Sequence, residues 1–208
     1  MERKLSTVFA LDVVGFSKLM AEDEARTLDN LKKRREFIDT IIEEYEGRIF
    51  NTAGDSVLAE FASPVRAAEC AVQIQNRSQA MNIMSEDNDK MSFRVGINVG
   101  DVMISDENLF GDAVNIAARL EAQALIDGIC ISQSTFDMVN LKVKVSYEDA
   151  GELELKNIGR PIKAYNILKC KGATRNVTSS QDTPITKVDE AEPGSVAVML
   201  FKNLSNDD

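Results

Sequence analysis

The chain has 208 residues, 44% of them hydrophobic, enough for one domain of ordinary size and an appendage. Lys and Arg number 24 against 34 Asp and Glu, and the formal net charge of -10 speaks against a nucleic-acid partner or an anionic membrane surface. There is no histidine, which excludes Ser-His-Asp and Cys-His hydrolases and histidine-ligated zinc.

Residues 7–13 read as a fully buried strand. The strand carries one carboxylate, Asp12, among apolar neighbours, and Gly15 then turns the chain into a helix. A lone Asp at the end of a buried strand is costly unless something pairs with it. Two partners stay open: a metal ion, or the helix start that Asp12 would cap. The same turn offers backbone N–H groups where phosphates bind.

From about residue 22 to 46, Leu28, Leu31, Ile38, Ile41, Ile42 and Tyr45 recur at helical spacing. The run Lys32-Lys33-Arg34-Arg35 inside this helix reads as a solvated face. Residues 48–51 and 56–61 form a hairpin around Gly54-Asp55. Ser63-Pro64 opens the next helix, with Ala67, Ala68, Ala71, Val72 and Ile74 on its inner face. Residues 91–98 and 101–105 read as two strands broken by Gly100, a second hairpin. Residues 109–123 form a helix opening at Gly111, with Asn115 and Arg119 four apart on one face. A short strand follows at 128–131, then a helix started by Ser132, then strands near 143–147, 151–155 and 164–168.

Strands and helices alternate irregularly, which predicts an α+β fold: a mainly antiparallel sheet backed by helices. Residues 171–194 turn polar and Pro-containing, as a flexible linker does. Residues 195–208 then read as the first strand of a second domain that continues past residue 208. Cys70, Cys130 and Cys170 lack metal-ligand or disulfide spacing, which points to a reducing, cytoplasmic setting. No apolar run is long enough to span a membrane.

Asp12 and Asp55 together suggest phosphoryl-transfer chemistry. Such carboxylate pairs hold two divalent ions roughly 3.5–4 Å apart, and hard cations such as Mg2+ or Mn2+ suit them. Arg119 supplies a planar fork for a developing phosphoryl charge, and Lys156 a point charge beside a loop.

The segments FALDVVGFS (9–17), NTAGDS (51–56), FRVGINVG (93–100), FGDAVNIAAR (110–119) and ELKNIG (154–159) occur in an order that resembles the catalytic domain of Class III adenylate and guanylate cyclases. The resemblance covers about residues 5–170 and implies a ferredoxin-like, palm-like core. It also implies a homodimer with two active sites across its interface. By that resemblance Asp12 and Asp55, helped by the Val13 carbonyl, hold two Mg2+ or Mn2+ ions per site. The amides of Val14, Gly15, Phe16 and Ser17 cradle the terminal phosphates. From the other subunit, Asn115 orients the ribose and Arg119 stabilises the transition state at the α-phosphate. Lys156 binds the triphosphate.

The chain departs from the family at the two base-reading positions. ATP-using members commonly carry Lys and Asp or Thr there, and GTP-specific members Glu and Cys; this chain has Asn51 and Asn108. An Asn side chain both donates and accepts, so either purine is a possible partner. The expected activity is conversion of a purine nucleoside triphosphate, ATP more than GTP, to the 3′,5′-cyclic monophosphate. The alternative is a degenerate cyclase-fold module that binds nucleotide or only dimerises and regulates a C-terminal domain.

Overall fold

A computed structural model of the chain describes residues 2–106 and 108–168. The expected linker and the expected second-domain strand lie outside the described residues, as does Cys170. The elements run β1 (Glu2–Val13), α1 (Phe16–Glu22), α2 (Glu24–Glu44), β2 (Arg48–Ala53), β3 (Ser56–Phe61) and α3 (Pro64–Met84). There follow β4 (Phe93–Ser105), β5 (Asn108–Phe110), α4 (Asp112–Gln123), β6 (Ile129–Ser132), α5 (Gln133–Val139), β7 (Ser146–Leu153) and β8 (Ile162–Leu168).

One sheet runs β2-β3-β1-β4-β6-β8-β7, with β5 paired to β4. Its first half, β1-α2-β2-β3-α3-β4 in the spatial order β2-β3-β1-β4, is the ferredoxin-like arrangement, antiparallel throughout. Only the β4–β6 pair is parallel among the described strands.

Strand alternation decides what each residue of β1 faces. Phe9, Leu11 and Val13 enter the main core with α2, α3 and α5. Val8 and Ala10 point the other way, into a smaller cluster with Ala113 and Ala117 of α4. By the same alternation Asp12 faces the α4 side. The strand is buried from Ser6 to Leu11 because helices cover both faces.

Helix entries follow the local chemistry. Asp23 accepts the Arg26 N–H at 3.0 Å to start α2, and Ser63 accepts that of Arg66, with Pro64 next, to start α3. Ser132 does the same for α5 through Thr135.

Three sequence expectations are corrected. Arg34 is not solvated: it is fully buried, donating to the Ser78 and Asp89 carbonyls and to Asn82 Oδ1. Burial pushes its pKa down, and neutral acceptors around the guanidinium hold the charge in place. Lys32 and Lys33 are exposed, so the run divides by helix face. Gly100 makes no hairpin; β4 is continuous, and the chain reverses later, where Met103–Ser105 pairs with β5. The expected strands at 143–147 and 151–155 are one strand, β7, with an irregularity between Asp149 and Gly151.

The glycines on β4 let α4 lie directly on the sheet. A Cβ at Gly96 would meet the backbone of Ala117 and Glu121, and one at Gly100 would stand 2.8 Å from the Ala113 Cβ. Gly96→Ala is therefore expected to cost about 3 kcal/mol of stability, at the upper end for overpacking, because helix backbone cannot yield as a side chain can. Chemical denaturation checks this: a midpoint equal to that of the unaltered protein contradicts the packing.

Candidate active site

At the end of β1 two acids converge. The Val13 N–H donates to Asp55 Oδ2 at 3.3 Å, which ties the β2–β3 turn to the strand carrying Asp12. Ser56, on the α4-facing side of β3, donates through Oγ to Asp12 Oδ1 at 2.7 Å. Burial first, and then the neighbouring Asp12 carboxylate, push the Asp55 carboxyl up to about 6. A metal-free pair of acids in this position resists full ionisation.

Arg94 stands opposite Asp12 in the β1–β4 register. Its guanidinium lies 4.0 Å from Asp12 Oδ2 and 3.2 Å from Glu121 Oε1, and it donates to the Ala122 carbonyl at 3.2 Å. Burial, then the Asp12 charge, push the Glu121 carboxyl up to about 7, against the pull of Arg94. Sequence reasoning missed Ser56, Arg94 and Glu121. A signal existed for Arg94: a charged residue inside an otherwise apolar strand, two positions before a glycine.

Phosphate recognition at the first turn is narrowed. The Val14 N–H already donates to the Ser92 carbonyl at 2.9 Å, so it is not available to an anion. Gly15 takes the left-handed conformation, φ 70°, and starts α1; its N–H and those of Phe16 and Ser17 remain as the candidate cradle. Phe16 packs against the main core and holds this turn in place.

The other expected residues gather around α4. Its inner side buries Ala113, Ile116, Ala117, Leu120 and Glu121, which leaves Asn115 exposed and Arg119 half-buried on the outer side. Phe50 of β2 and Leu109 of β5 share one apolar cluster with Ala113 and Ala117, so Asn51 and Asn108, each next in sequence to one of them, flank that cluster. Leu155 packs with Ile116 and Leu120 on the other flank, which brings the exposed Lys156 to the same helix. Asn115 and Arg119 thus stand apart from the acids, on the opposite side of α4 from Glu121, whereas Asn51 belongs to the same β2–β3 hairpin as Asp55. A cavity of about 700 Å³ lies between the far part of β4, the first turns of α4, α5 and residues 160–163; none of the expected site residues lines it.

Fold and site together place the chain among palm-like α+β domains with an acid pair at one end of the central strand. The chain belongs to the adenylate and guanylate cyclase catalytic domain family, whose model matches residues 2–169. It is 37% identical over 206 residues to a Rhizobium meliloti protein named "Putative adenylate cyclase 3", matching over 99% of this chain and 35% of that protein. The chain thus spans about a third of that relative's length. A solved adenylate/guanylate cyclase/hydrolase from Silicibacter pomeroyi is 36% identical with a TM-score of 0.77, covering 81% of this chain and 99% of that one. The adenylyl cyclase CyaB from P. aeruginosa, 23% identical with a TM-score of 0.71 over 82% and 98% of the two chains, shares the fold.

The raised carboxyls set a pH dependence. Asp55 and Glu121 bind protons more tightly folded than unfolded, so their stabilising contribution is whole below their ordinary values of 3.8 and 4.5. It is lost as pH rises through about 6 and about 7. The melting temperature of the metal-free protein is expected to fall between about pH 4 and pH 7, and Asp55→Asn to flatten that fall. An equal slope in the variant removes Asp55 from this role.

Proposed function

We infer that the chain is the catalytic part of a nucleotidyl cyclase that converts a purine nucleoside triphosphate, ATP before GTP, to the 3′,5′-cyclic monophosphate and pyrophosphate. The observation that carries the reading is the convergence of Asp12 and Asp55. Their donor set fits Mg2+ or Mn2+: hard carboxylate oxygens, mutually destabilised until a cation joins them. Among the described residues no group of three or more acidic, Cys or His side chains forms a complete cage. Mg2+ is commonly held by one or two carboxylates with substrate phosphates completing its shell. Bound there, the cations supply a more acidic attacking hydroxyl and neutralise phosphate charge.

The protein's own groups then do the following. Asp12 and Asp55, with the Val13 carbonyl, hold the cations, and the amides of Gly15, Phe16 and Ser17 take the terminal phosphates. Asn115 orients the ribose so that its 3′-oxygen faces the α-phosphorus. As the bond from the 3′-oxygen to the α-phosphorus forms, the bond from that phosphorus to the bridging oxygen breaks, pyrophosphate leaves carrying that oxygen, and the hydroxyl proton passes to water. Arg119 meets the charge that develops on the α-phosphoryl oxygens, and Lys156 holds the triphosphate. Asn51 and Asn108 read the base edge.

The separation of Asn115 and Arg119 from the acids supports a homodimer. Asn115 and Arg119 occupy the side of α4 opposite the one bearing Glu121, so they face outward and not toward the acids of their own chain. A second copy bringing its acids to this face completes the site. The α4 side of the sheet also leaves Phe50 and Leu58 only partly covered. Residues past the domain are proposed to lead, through a linker at 171–194, into a further domain beginning near 195. Among the described residues no helix is long and apolar enough to cross a membrane.

The test is to incubate the pure protein with Mn2+ and each nucleoside triphosphate and separate the products. Cyclic AMP is expected to predominate. Asp12→Ala and Asp55→Ala are expected to abolish it while the dimer persists; full turnover in either variant defeats the metal assignment. Arg119→Ala should lower kcat by about 10²-fold or more, in line with other transition-state donors. A change confined to KM contradicts that role. Equal numbers of Asp55→Ala and Arg119→Ala chains, mixed, should recover about a quarter of native activity if the two groups act across an interface, since half of the mixed dimers' sites are intact.

A further inference from the structure

We propose that Glu121 is a positioning residue that holds Arg94 back from the acid pair, and in doing so sets how tightly that pair takes a divalent cation. The inference rests on the reading of Asp12 and Asp55 as cation ligands.

Glu121 lies on the buried side of α4, only 9% exposed. Its backbone is pinned: the Glu121 N–H and the Ala117 carbonyl lie directly over Gly96, with no side chain between helix and strand. The carboxylate therefore has little room to follow a moving partner. Its partner, Arg94, projects from β4 two residues before that glycine, on the same face as Asp12. Two carboxylates thus flank one guanidinium, which leans toward Glu121, at 3.2 Å, over Asp12, at 4.0 Å.

The contact is an unusual one. Arg94 Nε and Glu121 Oε1 are both buried, and neither makes a hydrogen bond despite their short separation, because the angle is poor. A pair placed for stability alone would close that angle. An arginine stretched between two acids and the Ala122 carbonyl leaves it open. With the Glu121 charge removed, α4 no longer holds Arg94, since its other acid, Asp112, lies nine positions away in the first turn. The guanidinium then pairs with Asp12 and occupies the place of the incoming cation. With the charge present, Arg94 neutralises part of the acid cluster without blocking it.

Mn2+ binding in the absence of nucleotide, measured by electron paramagnetic resonance of the free ion, tests this without reference to turnover. Glu121→Gln should weaken Mn2+ binding about fivefold, the upper scale of one ion pair. Arg94→Gln should strengthen it. The decisive protein is the double variant: with Arg94 gone, Glu121→Gln should change Mn2+ affinity by less than about twofold relative to Arg94→Gln alone. An undiminished penalty in the double variant means that Glu121 acts only through its own field, and overturns the proposal. So does a single variant that binds like the native protein. Glu121→Asp keeps the charge but shortens the reach, and should fall between the native protein and Glu121→Gln; it serves if the glutamine variant fails to fold. Equal Mn2+ uptake by the native protein and Asp55→Asn would instead sink the cation reading itself, and this inference with it.

Discussion

Like charges must be kept close for this site to exist, and the sheet is what keeps them there. Asp12 and Asp55 repel each other, and burial raises the cost of ionising Asp55. A flexible loop would relieve that repulsion by moving apart. Here one acid rides on β1, held between β3 and β4 and covered on both faces, and the other is hydrogen-bonded back to that strand at Val13. The main core of Phe9, Leu11, Phe61, Phe93 and their neighbours supplies the rigidity. In this fold hydrophobic burial remote from the acids maintains their unfavourable proximity.

Helix α4 organises everything else. Two glycines on β4 let it settle directly on the sheet, so its rotation about its own axis is set by backbone contact and not by long side chains. Once that rotation is set, each position has its place. Glu121 meets Arg94 beside the acids, while Asn115 and Arg119 face outward. The apolar clusters on its two flanks position β2, β5 and the turn carrying Lys156 around it. A change in the volume at Gly96 would therefore disturb groups many residues away in sequence.

The order of motifs, the two acids, the Asn and Arg spaced four apart, and the helix entries at Ser63 and Ser132 were all legible in the chain. Each depends on short-range regularities: strand alternation, helical period, or the hydrogen bonding of a cap. The misreadings had a common cause. Gly100 looks like a turn, but its lack of a side chain serves contact with a helix that comes thirteen positions later at Ala113. Arg34 looks solvated beside its charged neighbours, but the carbonyls that receive it belong to α3 and the segment after it. The Val14 amide looks free until Ser92 is brought beside it.

By itself the sequence determined the element types along most of the domain and the chemical kind of the candidate site, because both follow from residue identity and local spacing. Only the tertiary structure decided which charges share a guanidinium, which amide remains for an anion, and which side of α4 faces away from its own acids. Those outcomes depend on how the strands register and how closely a helix approaches a sheet, distances that no local stretch of chain encodes.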